Sequence, residues 1–433
     1  MSVNRPSKLR RAITGPLLFF FILGDVLGAG VYALVGKVAG EVGGAIWLPL
    51  LVALGFALLT AASYAELVTK YPHAGGAAVF ARRAFGSPML SFLVGFCMLA
   101  AGVTSAAGLS LAFAGDYLRS FLPVPTAWAA LAFLLAIGVL NARGVKESLG
   151  ANLAMTLVEV SGLLLVVVLA GLYFLSGQGD PSRALEFKEG VTPTTAVLGA
   201  ALLAFYSFVG FEVSANMAEE IENLRLYPRA LFAALGVAGA VYALIGIAAA
   251  GVLPPATLAD SSAPLLAVVQ ATGYGVPPVF FSFVALVAVA NGALLTMMMA
   301  SRLAFGMAEE GLLPRAFGRV LARRRTPWVA IIVTTCAAML LTLTGTLQLL
   351  AETVVLLLLF VFMSTNLAVL VLRKDRVEHQ HFRVPAVIPV LGILSCLVLL
   401  AQQEPGVWLR GAAMLAVGAL LHRWARNGLR SDR

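Results

Sequence analysis

The sequence predicts an all-α polytopic membrane protein, and three observations carry that prediction. Of its 433 residues, 60% are hydrophobic and only 12% charged, a balance that soluble domains do not show. Apolar runs of about 20 residues recur from end to end, each long enough to cross a bilayer as a helix. These runs are continuous, whereas the strands of a membrane β-barrel alternate apolar and polar residues. No polar stretch is long enough for a second domain, so residues 1–433 read as a single transmembrane domain. The first apolar segment is too long for a removable signal peptide and lacks its small-residue cleavage site.

Twelve spans are expected, at 13–39, 44–69, 88–119, 126–142, 152–176, 194–215, 228–253, 277–307, 327–344, 346–373, 385–401 and 405–424. Sorting the Lys and Arg between the two sides sets their direction. All but Lys37, Arg119, Arg183, Lys188 and Arg410 of the 30 basic residues fall on the side of the N-terminus. The positive-inside rule then puts both termini in the cytoplasm. The net charge of +9 is explained by topology and by contact with anionic lipid, not by nucleic acid. Cys97, Cys336 and Cys396 lie in apolar segments and read as packing residues, with no spacing for a disulfide frame or a metal. Two longer outer connections, 177–193 and 254–276, stand out. The second encloses an apolar stretch, Leu265 to Val269, that suits either a short helix over a vestibule or a plain structured loop. On the inner side, Val79, Phe80 and Phe85 among Arg82 and Arg83 suggest a short interfacial helix within 71–87. His73, His379, His381 and His422 show no ligand spacing and read as surface residues.

Two stretches conflict with an uninterrupted helix. The first span carries Gly24, Gly28, Gly30 and Gly36 with one carboxylate, Asp25. Glycine is the poorest ordinary helix former, so Gly28 and Gly30 are a natural place for the helix to open. The second stretch is Ser207-Phe208-Val209-Gly210-Phe211-Glu212. Opened backbone at membrane depth is tolerated only where it faces protein or a wet cavity. The chain therefore reads as two halves, each opening with a broken helix, with a substrate held between the breaks. Glycines that merely permit close helix packing are the alternative.

Several blocks resemble the amino acid–polyamine–organocation (APC) superfamily of secondary transporters. Gly24, Gly28 and Gly30 match its Gly-x-x-x-Gly-x-Gly pattern. Ser63-Tyr64-Ala65-Glu66-Leu67, then Tyr71-Pro72, Gly75-Gly76 and Arg82-Arg83-Ala84-Phe85-Gly86, match at the end of the second span. Gly210-Phe211-Glu212, then Glu219-Glu220, Asn223 and Pro228-Arg229-Ala230, match in the sixth span and its exit. Ser301-Arg302 and Glu310-Gly311-Leu312-Leu313-Pro314 close the eighth. The resemblance implies an amino acid permease of the leucine-transporter-type fold, with 13–176 and 194–373 as inverted 5+5 repeats, broken helices 1 and 6, and 385–424 as two peripheral helices.

An amino acid is a zwitterion, and the breaks suit both of its charges. Backbone N–H groups of Gly28, Ala29 and Gly30, at the start of a half-helix, would hold the carboxylate. By match to the family, carbonyls of Val26, Tyr206, Ser207 and Val209 would accept from the ammonium group. Phe205, Phe208 and Phe211 are candidates for the side-chain pocket, or are plain core. In proton-driven members of the superfamily a lysine often stands in the fifth span; the matching position here holds Glu159, so that lysine cannot be carried over. A lone ionised carboxylate at this depth is costly and should be protonated, paired or hydrated. Glu159 with Asp25 is thus the candidate proton-coupling pair. Alternatives are a sodium site that also uses Asn291 or Thr296, attraction of a cationic substrate by Asp25, or a structural hydrogen bond from Asp25. Glu66, Glu212, Glu219 and Glu220 lie near the inner end with Lys70, Arg82, Arg83 and Arg229, either as gating ion pairs or as a solvated rim.

The function expected is secondary active transport of amino acids across the cytoplasmic membrane by proton-coupled symport. The alternatives are a polyamine or basic amino acid exchanger, a sodium-coupled symporter, or a non-transporting receptor of the same fold. No nucleophile or metal constellation suggests an enzyme, and no phosphate-binding Gly-x-x-x-x-Gly-Lys suggests an ATP-driven pump. Polar residues cluster at two breaks and form no channel-like rings. No cofactor is implied; the expected partners are a small amino acid or organic cation, a proton or sodium ion, and lipid, with the protein a monomer or weak homodimer.

Overall fold

The computed structural model describes residues 13–72, 76–143, 149–309, 311–321 and 326–431. Gly75, His73, Glu310, Lys146, Arg433 and the basic residues at 1–12 and 322–325 named or counted above lie outside them. The chain forms α1 (Gly15–Val42), α2 (Trp47–Lys70), α3 (Gly76–Phe85), α4 (Pro88–Phe113), α5 (Asp116–Arg119), α6 (Thr126–Ala142), α7 (Leu149–Leu175) and α8 (Pro193–Tyr206). After a 3-10 segment, Phe211–Glu220, come α9 (Tyr227–Val252), α10 (Pro255–Asp260), α11 (Pro264–Ala271), α12 (Pro278–Glu309), α13 (Trp328–Leu343), α14 (Leu347–Leu372), α15 (Val387–Ala401) and α16 (Pro405–Ser431). Pro88, Pro193, Pro278 and Pro405 each stand at the first position of a helix, where the fixed φ suits the turn and the missing N–H costs nothing.

Among the described residues, seven helical stretches are long and apolar enough to span a membrane, or up to nine if each of two bent pairs counts as one span. The bends are 41° within α1 and 113° between α15 and α16. The helices α6 and α13 are shorter but equally apolar. Burial sorts them: 83% of the apolar window of Pro88–Arg119 is buried, against 39% for Asn152–Leu175, so α4 is central and α7 peripheral. On α7, Leu157, Leu164, Val168, Leu172 and Leu175 face outward. Thr156, Glu159, Leu163, Val166 and Ala170 form the buried stripe, at the 3- and 4-residue spacing of one helix face. Glu159 is therefore on the inward side by helix geometry alone.

The two ends of the bundle differ. One end gathers Lys70, Arg82, Arg83 and Arg373. There Ile13 pairs with Ile221, donating its N–H to the Glu220 carbonyl (3.0 Å) and accepting from the Glu222 N–H (3.1 Å). The start of α1 is thus tied to the exit of the second break. Here α3 is a short amphipathic helix, with Ala77, Phe80 and Ala81 buried and Arg82 and Arg83 exposed. At the far end, α10 and α11 fold over the second half of α1. Gly36 packs against the Leu258 carbonyl, and Lys37 donates to Ala259 O (2.8 Å). The Trp47 indole donates to Ala184 O (2.8 Å) and Lys188 to Gly40 O (2.7 Å), which ties the 177–193 connection to the end of α1 and the start of α2.

Two sequence expectations change. His422 is not a surface residue: it is buried, stacked on Phe92 with ring centroids 4.4 Å apart, because α16 folds back against α4. Cys97 and Cys396 are buried, but Cys336 is exposed on the apolar outside of α13.

Candidate functional site

The site is built where two interrupted helices meet. In α1 the helical path fails at Gly28 (φ 5°, ψ −164°). In the second half of the chain α8 stops at Tyr206, and the 3-10 segment begins only after Gly210, whose φ of 126° is a conformation that glycine alone adopts readily. The breaks touch backbone to backbone. A Cβ on Gly30 would lie 2.8 Å from Ser207 Cα, and one on Gly210 would lie 2.9 Å from Asp25 O and 3.1 Å from Asp25 Cγ. The glycines thus serve close approach as well as chain opening.

Between the breaks and α4, α12 and α14 lies a cavity of about 60 Å³. Val26, Gly28, Gly30, Tyr206, Ser207 and Val209 line it, together with Asp25, Glu212 and Thr296. Its apolar wall includes Met98, Ala101, Leu109, Val354 and Leu358. The Tyr206 hydroxyl shares a 2.9 Å hydrogen bond with Ser105, also in the wall. Glu212 Oε2 accepts from the Gly210 N–H (2.9 Å), so the second break is capped by its own carboxylate. Asp25 Oδ2 is buried and has no hydrogen-bond partner among the described residues. A larger cavity of about 410 Å³ lies toward the basic end, lined by Arg82, Arg302, Glu220 and a group of methionines that includes Met298 and Met307. Val213 and Met299 line both cavities. Toward the far end Tyr32, Tyr117, Leu265 and Phe281 are all fully buried, and Tyr117 donates to Tyr32 O (2.9 Å). That side is closed by packed side chains, whereas the basic side holds open space.

The remaining candidates fall elsewhere. Phe205 and Phe211 pack on Phe362, with centroids 6.0 and 5.4 Å away, and Phe208 packs on Tyr242 at 5.2 Å. None of the three lines the cavity. Asn291 donates to Asn152 Oδ1 (3.4 Å) on α7 and is likewise outside the lining, while Thr296 back-bonds to Gly292 O (2.7 Å). The backbone of Ala29 continues the helix after the break. Glu159 is fully buried with both carboxylate oxygens unpartnered among the described residues; its main-chain carbonyl accepts from the Tyr32 hydroxyl (2.9 Å). Gly24, next to Asp25, packs against Thr156, one turn before Glu159, so Glu159 lies on the α1–α7 seam, while the Asp25 carboxylate faces Gly210 and the cavity.

At the basic end Glu66 takes partners that were not expected of it. It accepts from the Val384 N–H (2.9 Å) and pairs with Arg373 at 3.9 Å. Arg83 pairs with Asp375 (3.6 Å) over the Tyr71 ring, and the Tyr71 hydroxyl donates to the same carboxylate (2.6 Å). Lys70 donates to Leu372 O (2.7 Å). Arg82 lines the larger cavity, and Glu212 lies in the smaller one. Sequence reading missed Arg373, Ser105 and Tyr242. Nothing marks Arg373 or Ser105 locally, but a lone tyrosine in the apolar run of α9 is a polar hydroxyl that has to find a partner. Among the described residues no group of His, Cys, Asp and Glu is placed to hold a metal ion.

The family described as amino acid permease matches residues 15–409. A Mycobacterium tuberculosis protein named as an uncharacterized transporter is 30% identical, with 95% of this chain and 91% of the relative aligned. A branched-chain amino acid permease of Bacillus subtilis is 26% identical over 92% of this chain and 90% of its own. A methylthioribose transporter of the same organism is 27% identical over 97% and 94%. The match takes in both breaks and every helix that lines the cavity, and the chain accordingly belongs to the amino acid permease family of the APC superfamily, multi-pass membrane transporters and not enzymes.

Proposed function

We propose that this protein carries amino acids across the cytoplasmic membrane by alternating access, as a proton-coupled symporter. The observation that carries the reading is the cavity at the junction of the two breaks, where opened backbone, carboxylates and an apolar wall converge. The N–H groups of Gly28, Ala29 and Gly30 would hold the substrate carboxylate. Glu212 already occupies Gly210 N–H, so in this reading the anion goes to the first break and not to the second. The ammonium would face Asp25 and the carbonyls of Val26 and Ser207. The wall of Met98, Ala101, Leu109, Val354 and Leu358 suits an aliphatic side chain. In this reading α6, α13, α15 and α16 also cross the membrane, giving twelve spans, with 13–176 and 194–373 as inverted repeats and 385–424 peripheral. Both termini are cytoplasmic, so the larger cavity is the inner vestibule, flanked by the Glu66–Arg373 and Arg83–Asp375 pairs, and the protein works as a monomer or weak homodimer.

Glu159 and Asp25 are the coupling groups. A buried ionised carboxylate without a partner is costly, and a proton removes that cost. A second reading, exchange of cationic amino acids or polyamines, is favoured by one observation: Asp25 and Glu212 both border the cavity, a surplus of negative charge for a zwitterion.

Uptake into proteoliposomes separates these readings, with labelled leucine, alanine, arginine, putrescine and methylthioribose each offered under an inward proton gradient, a sodium gradient or neither. Accumulation of leucine or alanine with the proton gradient alone is expected. Glu159→Gln should then lose gradient-driven accumulation at least tenfold while keeping counterflow. Wild-type accumulation in that variant would sink the coupling assignment, sodium dependence would turn the two acids into ion ligands, and absence of transport of any compound would favour a receptor.

A further inference from the structure

Tyr242 lies in the middle of α9, fully buried, and does not line the substrate cavity. Its hydroxyl stands 2.6 Å from Val26 O, 3.0 Å from Leu27 O and 3.0 Å from Ser207 O. These carbonyls belong to the C-terminal ends of the two half-helices that stop at the breaks. Such carbonyls have lost their helical partners and carry partial negative charge. At membrane depth no bulk water replaces those partners. One hydroxyl has one proton, so it serves the three acceptors in turn. The Tyr242 ring is held in place by Phe208, at 5.2 Å and 69° to it.

We infer that Tyr242 is a positioning residue whose hydroxyl satisfies the break carbonyls whenever no substrate ammonium does, so that the unloaded transporter can change conformation. The inference rests on the amino acid reading above, in which Val26 and Ser207 supply acceptors to the ammonium. An ammonium group carries three donors and serves these carbonyls itself, which makes the tyrosine hydroxyl dispensable in the loaded protein. The contribution of Tyr242 therefore falls on the unloaded return step. Net uptake requires that step in every cycle. Exchange of one substrate molecule for another does not.

The test compares two fluxes of labelled leucine in proteoliposomes, net uptake into leucine-free vesicles and counterflow into leucine-loaded ones. Tyr242→Phe is expected to keep counterflow within about twofold of wild type and to slow net uptake about tenfold, equivalent to about 1.4 kcal/mol of barrier. Tyr242→Gln, whose amide N–H can donate, should recover part of the net flux. An equal fall in both fluxes, or no fall in either, overturns the inference. Thermal unfolding in detergent supplies a readout that does not depend on the substrate's identity. Without leucine, Tyr242→Phe should melt below wild type, and saturating leucine should narrow the gap. If wild-type protein moves no leucine, the amino acid reading is what has failed. An unchanged melting temperature in Tyr242→Phe then refutes the role of the hydroxyl by itself, and a lowered one keeps it.

Discussion

Two glycines four or more residues apart on one helix do different work, and their neighbours show which. Gly30 faces Ser207 Cα at a would-be Cβ distance of 2.8 Å, a backbone atom that cannot rotate away. Gly30→Ala is expected to cost about 1–3 kcal/mol, the usual penalty for overpacking, and to lower the melting temperature in detergent. Gly24 faces the hydroxyl of Thr156, a side chain that can be shortened. Gly24→Ala alone should destabilise, and Gly24→Ala with Thr156→Ala should recover most of the loss, since the Thr156 hydroxyl only back-bonds to Asn152 O (2.8 Å). If the double variant melts no higher than the single one, the clash is not what Gly24 avoids. Both glycines were legible in the sequence as a pattern. Their separate partners were not, because Ser207 and Thr156 are far away in sequence and are brought in by packing.

At the level of the element, the second half of α1 acts as a post on which α10 and α11 rest. Gly36 lets the Leu258 carbonyl approach, and Lys37 holds Ala259. A methyl at Gly36 must push α10 away, because backbone stands in its path. Gly36→Ala is expected to open the far side of the cavity. With the three native cysteines replaced and Ser105→Cys as reporter, a membrane-impermeant thiol reagent applied from outside should label faster in the Gly36→Ala background. Equal labelling rates would show that α10 and α11 do not limit access. The 254–276 connection read equally as a helix or a loop from its sequence. Prolines and a short apolar run are compatible with both, and contact with α1 decides in favour of two short helices. In α9 the sequence shows only a polar hydroxyl in need of a partner, and packing alone decides that Tyr242 reaches both breaks.

At the level of the whole molecule, the five basic residues set apart by the charge count are held at the far end. Lys37 and Lys188 bind carbonyls of α10 and α1, Arg119 and Arg183 pair with Asp116 and Asp180, and Arg410 binds Thr344 O (2.6 Å). Alkaline phosphatase fused after Lys188 should therefore be active and after Arg376 inactive. The reverse pattern would invert the topology and exchange the inner and outer cavities. The asymmetry of the molecule follows the same axis, with packed tyrosines and short helices at the far end and two cavities sharing Val213 and Met299 toward the basic end.

The sequence by itself determined that this chain is a helical membrane protein, where its apolar segments lie, that α1 and the region after α8 break, and that Glu159 is a buried acid. Each of these follows from local composition, from helix propensity or from the cost of charge in lipid; the burial of Glu66, Glu212 and Glu352 came from packing. Only the tertiary structure decided which residues share a wall. It put Glu212 beside the cavity and Glu66 beside Arg373, moved Phe205, Phe208 and Asn291 out of the lining, and brought Ser105 and Tyr242 to the breaks. A side chain's address in a bundle depends on the rotation and neighbours of its helix. A helix that is apolar on all sides leaves no amphipathic stripe from which that rotation can be read.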